Sequence, residues 1–161
     1  MEIKLSKSEL VDIINEDIDR LAARSYSEEG VSLFDAIRIK SRDKGVQSRM
    51  LEERDVRLRG LMSFCLGTKE SETETNDAGE TNTILVYDII EANCSKTLSA
   101  SSLRVLLRKY LTDSVLFDWY TKHGIQSSLT YEGIEAQESK IVCTLRAGFT
   151  RRPLQPFGPK F

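Results

Sequence analysis

Between Leu103 and Trp119 the chain carries Leu103, Leu106, Leu107, Tyr110, Leu111, Val115, Leu116, Phe117 and Trp119. At about 3.6 residues per turn these side chains cover more than half of a helix's circumference. A helix apolar that far round is central in its fold, with other elements packed around it. Ser99 or Ser101 can cap its start, and Gly124 is placed to stop it. The rest of the chain has to supply the elements that surround this one.

The first of them begins at a legible signal. Ser6 and Glu9 have the spacing of a capping box, and Leu5 and Leu10 that of a hydrophobic staple. Leu10, Ile14, Ile18 and Leu21 then form one stripe with Val11 and Ala22 beside it, opposite Glu9, Asp12, Glu16, Asp17 and Asp19. That spacing predicts an amphipathic helix to about residue 24. Val31 to Ile39 reads as a short helix, and SRDKG breaks it at Gly45. From Val46 to Leu66 the apolar positions Met50, Leu51, Leu58, Leu61, Met62 and Cys65 recur at helical spacing, with Gly67 as the stop. Ser127 or Ser128 opens a last helix through Tyr131, Ile134, Ile141, Val142 and Leu145, ended by Gly148.

Two segments break the helical pattern. Residues 67–82 (GTKESETETNDAGETN) hold five acids, one Lys and no large apolar side chain, and read as a mobile acidic surface loop. The loop leads to Thr83–Ile90 (TILVYDII), a β-branched run that predicts one short strand. Its backbone needs a partner, either Glu2–Leu5 or the edge of another copy. Leu85 and Tyr87 would then belong to a subunit contact. The expected fold class is mostly α: a bundle of four to five helices in a single domain over 1–150, with one short β segment and an extended tail over 151–161.

That tail differs in kind from the domain. All three prolines, Pro153, Pro156 and Pro159, lie in the last nine residues at a spacing of three, which matches polyproline II. Phe149, Leu154, Phe157 and Phe161 punctuate it, and no acid follows Glu138 while Lys140, Arg146, Arg151, Arg152 and Lys160 do. Solvent gives no reason to keep Phe157 and Phe161 there, so the tail is read as docking into a groove on its own domain or on a neighbour. Arg151, Arg152, Pro153, Leu154, Pro156, Phe157 and Phe161 are its candidate contact residues.

Composition removes several classes of function. With 23 basic against 25 acidic residues and a net charge of -2, the chain is no global polycation for coating nucleic acid. No apolar run reaches membrane-spanning length, and the first residues are too polar for a signal peptide. Cys65, Cys94 and Cys143 are scattered, so neither a disulfide framework nor a metal cluster is suggested, and no cofactor is expected. The single histidine, His123, stands at a helix end, where a cation favours the dipole. Phosphate loops and nucleophile–base signatures are absent, so an enzyme is not expected. Arg49, Arg54, Arg57 and Arg59 could meet phosphates, but Glu52, Glu53 and Asp55 interleave with them and point to a solvated helix face.

A helical first half, an extended segment, the wide apolar helix ending in LRVLLRKYLTDSVLFDWY, a further helix and the tail TRRPLQPFGPKF together resemble head–tail connector (adaptor) proteins of tailed phages and prophages of gut bacteria. The similarity lies mainly in residues 83–161. It implies a virion structural protein that forms a homo-oligomeric ring, commonly dodecameric, under the portal protein at the head–tail interface. Such a ring meets a tail or stopper protein, continues the DNA channel without sequence-specific contacts, and has no catalytic residues and no membrane partner. In that setting Glu70, Glu72, Glu74, Asp77 and Glu80 would face the channel and repel passing phosphates. The alternative from a different class is a cytosolic helical regulatory or nucleic-acid-binding module.

Overall fold

The structure, a computed structural model, describes residues 1–29, 43–75, 79–94 and 99–146. The expected helix Val31–Ile39, the stop at Gly148 and the whole 151–161 tail lie outside the described residues. In chain order the elements are β1 (Glu2–Ser6), α1 (Lys7–Glu29), α2 (Asp43–Met62), β2 (Ser71–Thr75), β3 (Thr81–Asp88), a 3₁₀ turn (Glu91–Asn93), α3 (Ala100–Lys122) and α4 (Tyr131–Arg146). The fold is mostly helical, and its β part is larger than one segment: three strands form an antiparallel sheet in the order β1-β3-β2.

Helix α3 takes the central place that its apolar circumference requires, touching α1, α2, α4 and β1. Leu103, Leu107, Tyr110, Leu111, Val115, Leu116 and Trp119 are all buried along it. Ser99 Oγ accepts from the Ser102 amide at its start. Its end is a Schellman motif: Gly124 sits at φ +67, and the Ile125 amide reaches back to the Tyr120 carbonyl at 2.9 Å. A residue with a Cβ pays a steric penalty in that conformation, so glycine is the natural occupant.

Strand β1 runs directly into α1, and Ser6 makes the junction. Its Oγ accepts from the Glu9 amide at 3.2 Å, while Leu5 and Leu10 are buried on either side as a staple. Leu10, Val11, Ile14 and Ile18 are buried along the predicted stripe, and the helix runs on to Glu29. Ile3 and Leu5 lie opposite Tyr87 and Leu85, so one sheet face joins the helical core.

Four sequence expectations are corrected here. The acidic segment 67–82 is no bare loop: Ser71–Thr75 pairs with Thr75↔Thr81 through Ser71↔Leu85 as the first arm of a hairpin. Gly45 does not stop a helix but lies in the first turn of α2, and Thr130, not Ser127 or Ser128, caps α4 by accepting from the Gly133 amide at 3.1 Å. Gly67 does not end α2, which stops at Met62. Instead the Gly67 amide donates to the Asp88 carbonyl at 2.7 Å, and a Cβ on Gly67 would overlap the Asp88 carboxylate. Gly67→Ala is therefore expected to cost about 1 kcal/mol of stability, and adding Asp88→Ala should recover most of it, as urea titrations of the single and double variants would show.

Candidate functional site

Helix α2 carries the charged side chains that the sequence placed on a solvated face; Arg49, Glu52, Glu53 and Arg57 are exposed there, but Arg54, Asp55 and Arg59 turn inward. Arg54 grips Asp118 of α3 with Nε and Nη2 at 2.7 and 2.5 Å. Arg57 holds Glu138 of α4 through Nε and Nη2 at 2.6 and 2.9 Å, and the same carboxylate accepts from the Tyr110 hydroxyl at 2.8 Å. Arg59 pairs with Asp55 one turn earlier at 2.8 Å, donates to the Glu70 carbonyl at 2.7 Å and lies 4.7 Å over the Tyr87 ring. The Tyr87 hydroxyl in turn donates to Asp55. Only Asp55 to Arg59 was legible as a helical i,i+4 pair; the other partners are many residues away in sequence.

The electrostatics follow from burial and these partners. Burial first, and then Asp55, pushes the Tyr87 phenol well above its ordinary range. Burial and the hydrogen bond to Glu138 push Tyr110 up to about 12. Burial would raise the Glu138 carboxyl, but hydrogen bonds from Arg57 and Tyr110 outweigh it and hold the group below its ordinary value. Each strongly perturbed group is thus matched to an internal partner, and the arginines that occupy them are not offered to phosphates. His123 also has a structural place: its ring stacks on Trp119 with centroids 4.2 Å apart, and Nδ1 lies 2.8 Å from the Trp119 carbonyl. Among the described residues no group of three His, Cys, Asp or Glu is arranged to hold a metal ion. No helix among them is long and apolar enough to cross a membrane.

The residues expected at a subunit contact divide. Leu85 and Tyr87 are buried, and β3 is the middle strand, paired on both sides. A neighbour cannot complete it, because the Glu2–Ser6 strand and the acidic hairpin arm already do. Of the acidic candidates, Glu72 is neutralised: it binds Lys4 at 2.5 Å and also Lys69, which themselves approach Glu2. Lys4, and then Lys69, hold the Glu72 carboxyl below its ordinary value. Opposite Lys4 and Glu72 in the register stand Val86 and Ile84, both buried on the sheet face opposite Leu85 and Tyr87. Glu70, Glu74 and Glu80 are exposed, while Asp77 and Arg151, Arg152, Pro153, Leu154, Pro156, Phe157 and Phe161 lie outside the described residues.

Among the described residues, the two outer edges of the sheet have no strand partner. Met1 and Ile89 exchange both backbone bonds, at 2.9 and 2.8 Å, so Ile3 and Leu5 continue that bonded set and Glu2 and Lys4 turn their amides and carbonyls away from β3. On the far side Val86 donates to Glu70 at 3.0 Å, which leaves Ser71, Thr73 and Thr75 facing outward by the same alternation. Beside the β1 edge lies a cleft of about 580 Å³ lined by Glu2, Ile3, Lys4, Ala100, Ser101 and Arg104. Compared with known proteins, the chain matches no family model, no curated protein and no solved structure.

Proposed function

We propose that this protein is a non-enzymatic virion assembly protein: a head–tail connector subunit that forms a ring, docks on the portal protein and continues the DNA channel toward the tail. The observation that carries this reading is the division of its polar groups. Arg54, Arg57 and Arg59 are paired with carboxylates inside the domain, whereas neither outer edge of the sheet has a strand partner among the described residues. Glu74 on the hairpin would then be among the carboxylates facing DNA, with Glu72 already spent on Lys4 and Lys69. The terminus from Arg151 to Phe161 would reach the portal or a neighbouring subunit, its phenylalanines acting as anchors.

Deleting residues 151–161 is the direct test. The truncated protein is expected to keep its helical circular dichroism and its unfolding transition while losing incorporation into particles. Unimpaired incorporation would overturn the role given to the tail. A DNA-binding module built on the α2 arginines would need them free, and Arg54, Arg57 and Arg59 are engaged. Steep salt-dependent DNA binding by the isolated protein would favour that alternative over the connector reading.

A further inference from the structure

The connector reading requires a contact between copies, and the two free edges belong to one sheet with complementary chemistry. This inference rests on that reading and names its subunit interface. Because β1 and β2 each run antiparallel to β3, they run parallel to each other. We propose that β2 of one copy adds, in parallel, to the free edge of β1 in the next copy, with the cleft beside Arg104 receiving it.

The two edges fit on both faces of the joined sheet. Ser71 and Thr73 share the inner face with Leu85 and Thr83, and their small side chains would enter the cleft walled by Ala100, Ser101 and Arg104. Arg104 makes no ion pair among the described residues, so its guanidinium is available to donate to incoming hydroxyl or carbonyl oxygens. On the outer face Glu74, which also makes no ion pair among the described residues, would come beside Lys4. Backbone bonds from Glu2 and Lys4 would supply the adhesion, as in other strand additions. Joining β2 to a second β2 would set Glu72 and Glu74 against their own copies, a like-charge arrangement that is unfavourable. Joining unlike edges is a heterologous contact, which closes into a ring when the rotation between copies allows.

The test mixes unlabelled and ¹⁵N-labelled full chains at high concentration and couples carboxylates to amines with a zero-length carbodiimide. Isotopically mixed cross-links between the Glu72/Glu74 peptide and Lys4 are expected. Two variants on opposite edges should abolish them without unfolding the domain, as circular dichroism would verify. Thr73→Pro removes an outward amide that β3 does not use. Ser101→Trp fills the cleft from the exposed first turn of α3. Absence of mixed cross-links in the unmodified protein, their survival in both variants, or mixed links from Lys4 to Glu2 instead would overturn the proposed pairing. Particles whose ring subunits meet only through helices would overturn it too while leaving the connector reading intact. Particles without this protein at the head–tail interface would defeat the connector reading itself.

Discussion

Asp55→Ala is expected to lower the unfolding free energy by about 3 kcal/mol, the largest single effect among the polar groups. Two donors depend on this one carboxylate. The Tyr87 ring is fully buried, and only 14% of the Arg59 side chain is exposed, so water cannot readily replace what is lost. A stranded hydroxyl and a stranded guanidinium each keep their desolvation cost after the partner has gone. Tyr87→Phe should cost only about 1 kcal/mol, because Asp55 then keeps Arg59 and no buried donor is orphaned. The double variant should be less destabilised than the sum of the two, since the hydroxyl that Asp55→Ala strands is already absent. Urea unfolding followed by the fluorescence of Trp119, the only tryptophan, gives all three values. A cost under about 1 kcal/mol for Asp55→Ala would mean that solvent reaches the site and that the network does not hold β3 to α2.

These networks mark where sequence reasoning stopped. The helical stripes, the Ser6 cap, the Leu5/Leu10 staple, the Ser99 cap and the Gly124 stop were legible because each is local: its partners lie within about one turn of chain. Strand β1 was legible only as one of two possible partners for β3, since five residues of alternating burial are too few to assert a strand alone. Strand β2 was missed because acidity and the lack of apolar side chains were weighed above the Ser/Thr–Glu alternation of SETET. That alternation was the available signal, together with Gly79 at φ +79 in the connection back to β3. The long-range ion pairs carried no local trace at all. Arg57 and Glu138 are 81 residues apart, and nothing in either neighbourhood distinguishes them from solvated charges. The same blindness made Leu85 and Tyr87 look like an open edge, because only the three-strand order shows that β3 is covered on both sides.

Glu138→Ala should destabilise by about 2 kcal/mol, less than Asp55→Ala because its two donors are not equally trapped. Tyr110 is fully buried and would lose its acceptor, whereas Arg57, with 47% of its side chain exposed, can turn to water. Arg57→Ala should cost about 1–2 kcal/mol, because it leaves to Tyr110 alone a carboxylate with only 10% of its side chain exposed. The pH dependence separates the contributions. The Glu138 carboxyl is held below its ordinary value, so the stability it contributes is present above the unfolded value of about 4.3 and is lost as pH falls through the lower folded value. Tyr110 is raised to about 12, so its contribution is complete below about 10 and is lost as pH rises toward that folded value. Glu138→Gln should flatten the acid limb of a stability-against-pH curve. It should also shrink the alkaline loss, which still begins at about 10 but ends at a lower pH, because an amide oxygen accepts from Tyr110 without penalising its ionised form as strongly. An unchanged acid limb would show that Glu72, rather than Glu138, carries the acid sensitivity. Because Glu138 ties α4 to both α2 and α3, the same variant measures how firmly the domain holds the helix from which the basic terminus departs.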